Sequence, residues 1–299
     1  SLIASSWQTS DRCRQPIPWQ AWPVPIVDAS RMRARLAADP GHTVICDVRS
    51  TMGGADPSGE FTSGHVPGAV LIVLDDVLAA APATVDGRHP LPTPTAFASA
   101  LGTLGVGEDD TVIAYDDRGG AIAARLVWML RIIGCPAYLL DGGTDGWDGE
   151  IETGDGARRT RVERRAIGWP VDAVADADAV ADHIRAGGLV IDSRDAARYA
   201  GEVEPIDVVA GHVPGAINLP FAENLGADGR FRPAADLAER FSAAATDTDA
   251  IVYCGSGVTA CHNALAMEHA GLARPRVYVG SWSGWSADPN RPVAVGSEP

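Results

Sequence analysis

The chain is written twice. Gly64-His65-Val66-Pro67-Gly68-Ala69 returns letter for letter as Gly211-His212-Val213-Pro214-Gly215-Ala216. Asp47-Val48-Arg49, after the apolar run Val44-Ile45-Cys46, returns as Asp192-Ser193-Arg194 after Leu189-Val190-Ile191. The strand-like run Thr111 to Tyr115, ending at Asp116, is echoed by Ala250 to Tyr253, ending at Cys254. Asp141-Gly142-Gly143 with Trp147 is echoed by Val279-Gly280-Ser281 with Trp285. Landmarks in one order, displaced by similar distances, mean a duplicated domain, and a period this long means two globular units and not a solenoid.

Each copy alternates short apolar runs with helix-like segments. Runs such as Val44–Cys46, Val112–Ala114 and Ala137–Leu140 suit strands buried on both faces of a parallel sheet. Ala121 to Ile133 sets Ile122, Leu126, Met129 and Ile133 on one helical face, with Gly134 as the stop. Val258 to Ala270 reads the same way before Gly271. The expected class is therefore α/β: two tandem domains, each a parallel sheet covered by helices on both faces. The expected boundaries are an extension over 1–24, a first domain over 25–150, a linker over 151–168 and a second domain over 169–299. The arginines of that linker (Arg158, Arg159, Arg161, Arg164 and Arg165) read first as a solvated run.

Composition narrows the partners. Lys+Arg total 24 against 39 Asp+Glu, a net charge of −15, so nucleic acid and anionic membrane surfaces are not expected partners. No apolar stretch reaches the ~18 residues of a membrane span. The five cysteines (Cys13, Cys46, Cys135, Cys254 and Cys261) are odd in number, widely spaced and without a Cys-x-x-Cys pair. That speaks against a disulfide scaffold or a zinc site and for a reducing cytoplasm. The start, Ser1 to Pro25, lacks the pattern of a secretory signal.

The copies differ at one telling place. Where the first has Asp116, the second has Cys254 followed by Gly255-Ser256-Gly257-Val258-Thr259-Ala260. A cysteine leaving the carboxyl end of a buried parallel strand stands where α/β sheets bind ligands. Glycines after it let backbone amides turn inward as an anion nest, and the next helix points its positive end at the sulfur, which favours the thiolate. Core packing does not ask for Gly-Ser-Gly beside a cysteine, whereas Cys46, Cys135 and Cys261 read as ordinary buried thiols. A phosphatase loop needs an arginine six positions after the cysteine, and Ala260 stands there. A serine hydrolase centred on Ser256 lacks the outer Gly-x-Ser-x-Gly frame. A sulfur carrier or interaction module without turnover remains the alternative of a different class.

The loop Cys254-Gly-Ser-Gly-Val-Thr-Ala260 resembles the active loop of the rhodanese superfamily of sulfurtransferases, in its mercaptopyruvate type. The two Gly-His-Val-Pro-Gly-Ala blocks, His89-Pro90-Leu91-Pro92 and Gly280-Ser281-Trp282-Ser283-Gly284-Trp285 resemble its tandem-domain members. The resemblance covers roughly residues 25 to 290. It implies a ping-pong transfer in which Cys254 takes the sulfane sulfur of 3-mercaptopyruvate or thiosulfate as a persulfide. A thiol acceptor, such as a thioredoxin-like protein, or cyanide then removes it. The amides of Gly255, Ser256, Gly257, Val258, Thr259 and Ala260 would hold the charged sulfur. No metal or organic cofactor is implied. The family's proton relay, a loop serine with a histidine and an aspartate from the first domain, falls on Ser256, His65 and Asp56. His212 fills the same motif as His65 in the other copy, so a structural turn role stands beside the catalytic one. Arg198, ahead of Tyr199, matches the arginine that binds the donor's anionic group. A second arginine that the mercaptopyruvate type places shortly afterwards is missing from Gly201 to Asp207, and basic residues that the thiosulfate type places directly after the cysteine are missing too. Arg49 and Arg194 end matching strands and read as structural ion-pair formers. Trp282 is a candidate for the pocket wall, and Trp285, the counterpart of Trp147, for core packing.

Overall fold

A computed structural model describes residues 23–299. The expected extension, with Cys13 and the tryptophans at 7, 19 and 22, falls almost wholly outside them. In the first half β1 (Ile26–Val27), β2 (Thr43–Arg49), β3 (Val70–Val73), β4 (Thr111–Tyr115) and β5 (Ala137–Leu140) form one sheet. Its order is β1-β5-β4-β2-β3, and every pair is parallel. In the second half β6 (Val174–Ala175), β7 (Val190–Asp192), β8 (Ile217–Asn218), β9 (Ile251–Tyr253) and β10 (Arg276–Tyr278) form another. Its order, β6-β10-β9-β7-β8, repeats the first strand for strand.

The helices of the first half are α1 (Ala29–Ala38), α2 (Pro57–Ser63), α3 (Pro94–Thr103), α4 (Ala123–Ile132) and α5 (Gly143–Gly146). Those of the second are α6 (Ala177–Arg185), α7 (Ala196–Tyr199), α8 (Ala234–Arg240), α9 (Ala260–His269) and α10 (Ser281–Trp285). Side chains alternate across each strand, as pleating requires. Val44, Cys46 and Val48 of β2 enter one core, and Ile45 enters another on the opposite face. The first of these cores also contains Val252 of β9 and Leu265 of α9, so it runs from one domain into the other.

That shared core explains a departure from the sequence reading of α4. One apolar face was expected there, yet every residue from Ala123 to Ile132 is buried, including Arg125 and Arg131. The side that would face water in a lone domain packs on α9. Arg131 crosses the interface to Glu268, and its Nη1 also donates to Ala137 O at 3.1 Å.

The linker is corrected too. Its arginines are not simply solvated. Arg159 donates to Gly105 O at 2.9 Å and pairs with Asp110 at 3.2 Å. Arg164 donates to Gly107 O and to Cys135 Sγ, and Val162 N donates to Gly102 O at 2.9 Å. The segment is strapped along the first domain. Arg158, Arg161 and Arg165 stay exposed, Arg158 with 85% of its side chain in solvent.

Candidate active site

Cys254 stands at the carboxyl end of β9 and is 2% exposed. Three contacts fix its loop. Ser281 Oγ accepts from Cys254 N at 3.1 Å, while Trp282 N and Ser283 N donate to the carbonyls of Cys254 and Gly255, each at 2.9 Å. The Gly-Ser-Trp-Ser-Gly-Trp segment is thus the buttress of the cysteine loop. Trp282 is fully buried behind it, its indole N–H on Val209 O and its ring under Arg194 at 4.7 Å, so it packs the core and does not wall a pocket. Gly257 has φ +76°, and a Cβ there would meet Val279 O at 2.5 Å, so only glycine serves. That turn lets Gly257 N donate to Cys254 Sγ at 3.1 Å.

The first domain displays what such a loop is built to hold. Asp116, in the place of the cysteine, is fully buried. Its Oδ1 accepts from the amides of Arg118 and Gly120, both at 2.8 Å. Its Oδ2 accepts from Ile122 at 2.7 Å and Ala123 at 2.8 Å. Four amides close on one carboxylate. Counted from the strand end, the corresponding amides in the second domain belong to Ser256, Val258, Ala260 and Cys261. Among the described residues, those of Ser256 and Val258 have no acceptor. Cys261 N is taken by Val258 O at 3.2 Å, so a sulfur added to Cys254 would meet the open amides of Ser256 and Val258 beside Gly257 N.

Ser256 is buried beside the cysteine, and its hydroxyl lies 2.8 Å from Nδ1 of His89. On the far side of that ring, Nε2 is 3.6 Å from Asp75, whose carboxylate accepts from Thr51 Oγ1 at 2.7 Å. Burial, helped by the positive charges of Arg125 and Arg88, lowers the His89 pKa to about 4. His89 is therefore a neutral imidazole near pH 7.

The residues expected for this relay stand elsewhere. His65 is fully buried in the first domain, stacked on Phe61 at 3.9 Å, with Nδ1 on Phe61 O at 2.9 Å. His212 does the same in the second domain, stacked on Tyr199 at 3.7 Å with Nδ1 on Tyr199 O at 2.9 Å. Both precede an edge strand at its amino end, whereas the cysteine loop leaves a carboxyl end. One motif does one structural job twice. Asp56 is exposed at the start of α2 and makes no side-chain cap. The signal for His89 was in the sequence as His89-Pro90-Leu91-Pro92: Asp86-Gly87-Arg88 before it returns as Asp228-Gly229-Arg230, but Phe231 stands where His89 does.

Arg198, at the end of α7, does face the loop, with a partner from the other domain. Arg88 Nη2 lies 3.1 Å and Arg198 Nη1 3.4 Å from where a Gly255 Cβ would stand. Arg88 thus sets a second guanidinium, from the first domain, beside that of Arg198 at the loop. Asp207 bridges the two, bonded to Arg88 and 3.3 Å from Arg198, while Glu204 holds Arg198 at 2.7 Å. A cavity of about 350 Å³ opens at this point, lined by Thr84, Gly87 and Arg88 from one domain and Asp207, Ser283 and Ala287 from the other. A larger one of about 720 Å³ lies by His42, Asp110 and Arg159, at the amino ends of β2 and β4, away from the cysteine. Arg49 and Arg194 are tied to Asp47 and Asp192 and are structural, as expected.

Cys46 and Cys261 are free and buried, and burial pushes both thiols up to about 12; Cys135 is buried as well.

Known proteins share this fold. Residues 28–150 and 176–288 each match the rhodanese-like domain. The chain belongs to the rhodanese family. It is 41% identical to a Pseudomonas aeruginosa protein named "Probable 3-mercaptopyruvate sulfurtransferase", over 91% of this chain and 98% of that one. It is 36% identical to a Mycobacterium tuberculosis protein named "Putative thiosulfate sulfurtransferase SseB", over 87% of this chain and 93% of that one. The crystal structure of SseA from Escherichia coli, a 3-mercaptopyruvate sulfotransferase by its title, superposes with a TM-score of 0.72 at 31% identity. That match covers 87% of this rhodanese-family chain and 99% of SseA.

Proposed function

We propose that this rhodanese-family chain, an enzyme of the sulfurtransferase class, takes sulfur from 3-mercaptopyruvate onto Cys254 and passes it to a thiol. The observation that carries the choice of donor is the Ser256–His89 contact at 2.8 Å, because thiosulfate has no use for a proton donor there. The Cys254 thiolate attacks the donor's sulfur. The S–S bond forms, the C–S bond breaks, and its electron pair leaves on the enolate of pyruvate. That enolate needs a proton at carbon. With its one proton on Nδ1, neutral His89 donates to Ser256 Oγ; the serine delivers its proton to the enolate carbon and takes back the proton that the donor's sulfur gives up as the persulfide forms. The outer sulfur remains on Cys254 in the amide nest, and the donor's carboxylate lies against the forks of Arg198 and Arg88. An acceptor thiolate then attacks the outer sulfur and frees Cys254, in the ping-pong order.

A small thioredoxin-like protein suits the acceptor role, because its thiolate can enter through the cavity beside Arg88. The free, buried state of Cys46, Cys254 and Cys261 supports a reducing, cytoplasmic setting. Among the described residues, no helix is long and apolar enough to cross a membrane.

The test is a single turnover with each donor on wild-type protein and on Cys254→Ser. Mass spectrometry should find a gain of ~32 Da on Cys254, faster with 3-mercaptopyruvate than with thiosulfate, and none in the serine variant. Sulfur on Cys261 would refute the role of Cys254, and loading with no further turnover when donor and a thiol are both in excess would refute the enzyme reading. The second outcome would favour a carrier.

A further inference from the structure

The two buried arginines of α4 differ in a way the reaction so far does not use. Arg131 meets a carboxylate, that of Glu268. Arg125 is fully buried, and among the described residues it meets none. Its Nε donates to Leu78 O at 3.1 Å, and its Nη2 donates to His89 O at 2.7 Å and Pro90 O at 3.3 Å. Its Nη1 crosses the interface to Gly257 O at 3.0 Å. Carbonyls satisfy the donors but bring no net charge. A buried cation without a counter-charge is costly to keep, so its neighbourhood should hold an anion at some stage of the cycle. Two sulfurs, Cys254 and Cys261, are the groups that stabilise its charge, and burial keeps the Cys261 thiol protonated.

The duplication supplies an internal control. Gly119 occupies in the first domain the place of Gly257, three residues after Asp116 as Gly257 is after Cys254. Its carbonyl is also met from the opposite domain, but by His262 Nε2 at 3.2 Å. His262 is completely buried, and burial lowers its pKa to about 4, so it is neutral. The architecture can hold that carbonyl with a neutral ring. At the loop with the cysteine, it uses a cation.

We propose that Arg125 is a positioning residue for the sulfur-carrying anion: the first domain's counter-charge to the Cys254 thiolate and persulfide. It acts also through geometry. A trans peptide points its N–H opposite to its C=O. Anchoring Gly257 C=O outward on Arg125 turns the Val258 N–H inward, toward the nest. In the first domain the amide at that offset, Gly120 N, binds Asp116 at 2.8 Å. The same guanidinium holds the backbone of His89, so one side chain sets the relay and the nest together.

The inference rests on Cys254 as the sulfur carrier, and the experiment separates the two. Cys254 alkylation by iodoacetamide is followed by peptide mass spectrometry across pH, with no donor present, in wild type, Arg125→Met and Arg125→Lys. The methionine variant should move the pH of half-maximal rate up by about one unit, a roughly tenfold slower reaction near neutrality. The lysine variant keeps the charge and should keep the wild-type midpoint, while its turnover falls because a point charge cannot fork to Gly257 and His89. A folded methionine variant with the wild-type profile would overturn the proposal. If that variant does not fold, the lysine variant decides: an upward shift, or unchanged turnover, would overturn it. Wild-type Cys254 that alkylates no faster than Cys261 would instead overturn the carrier reading itself.

Discussion

The carboxylate of Asp207 stands where a donor's carboxylate should go, and Asp207→Asn tests what that means. Arg88 and Arg198 contribute two positive charges at the mouth of the loop, and Glu204 and Asp207 cancel both. The chain as a whole carries −15, so no distant field helps an anion in. Asn keeps the shape and removes one negative charge. A unit charge roughly 6 Å from the Gly255 position is worth between ~0.7 and ~2.8 kcal/mol for effective dielectrics of about 80 and 20. Taking about 1.4 kcal/mol as the middle, KM for 3-mercaptopyruvate should fall about tenfold. Steady-state pyruvate release under a fixed thiol acceptor measures it. A control donor without net charge should show no such gain. Burial raises the Asp207 pKa, and Glu204 adds to this against the lowering by Arg88 and Arg198. Protonation removes the same charge that Asn removes, so wild-type KM should fall toward acid pH and the variant's should not. If the KM of Asp207→Asn rises, Asp207 serves to aim Arg88 and the competition argument is wrong.

Ser256→Ala and His89→Ala should each slow turnover with 3-mercaptopyruvate by ~10²–10⁴-fold and spare thiosulfate, since only the former leaves an enolate. Equal losses with both donors, in parallel steady-state assays, would assign the pair to loop geometry. His65→Ala should behave oppositely, lowering thermal stability through its lost stacking on Phe61 while leaving the donor ratio unchanged in the folded protein. Asp116→Ala strands four buried amides and should cost about 2–4 kcal/mol in denaturant unfolding, with no sulfur ever found on the first domain. An Asp116→Ala protein as stable as wild type would show that water fills the nest at no cost.

The repeat, the parallel sheets and the cysteine loop could be read from sequence because each is local or periodic. Apolar runs gave β2, β4, β5 and β9, and the helix read over Ala121 to Ile133 is Ala123–Ile132. What stayed hidden lies across the interface. Nothing near Arg88 or Arg125 in the chain says that Gly255 and Gly257 will come to meet them. His65 drew the relay to itself because a repeated motif looks important, and repetition marked it as part of the frame. His89 sits in that frame at a place where the other copy has Phe231, so the comparison of the copies by identity passed it over. Arg198 showed its acidic neighbours in sequence, but not that Asp207 would span two domains.

Asp116 raises a question of ancestry. A copy that has traded its cysteine for a carboxylate would look free to decay. It cannot, because His89, Arg88 and Arg125 all reach from it to the loop that follows Cys254, at Ser256, Gly255 and Gly257. Each half now holds components the other lacks, so a swap of either half for a foreign homologue must restore these three contacts at once. Two copies that began as spares of one another have become a single heritable unit.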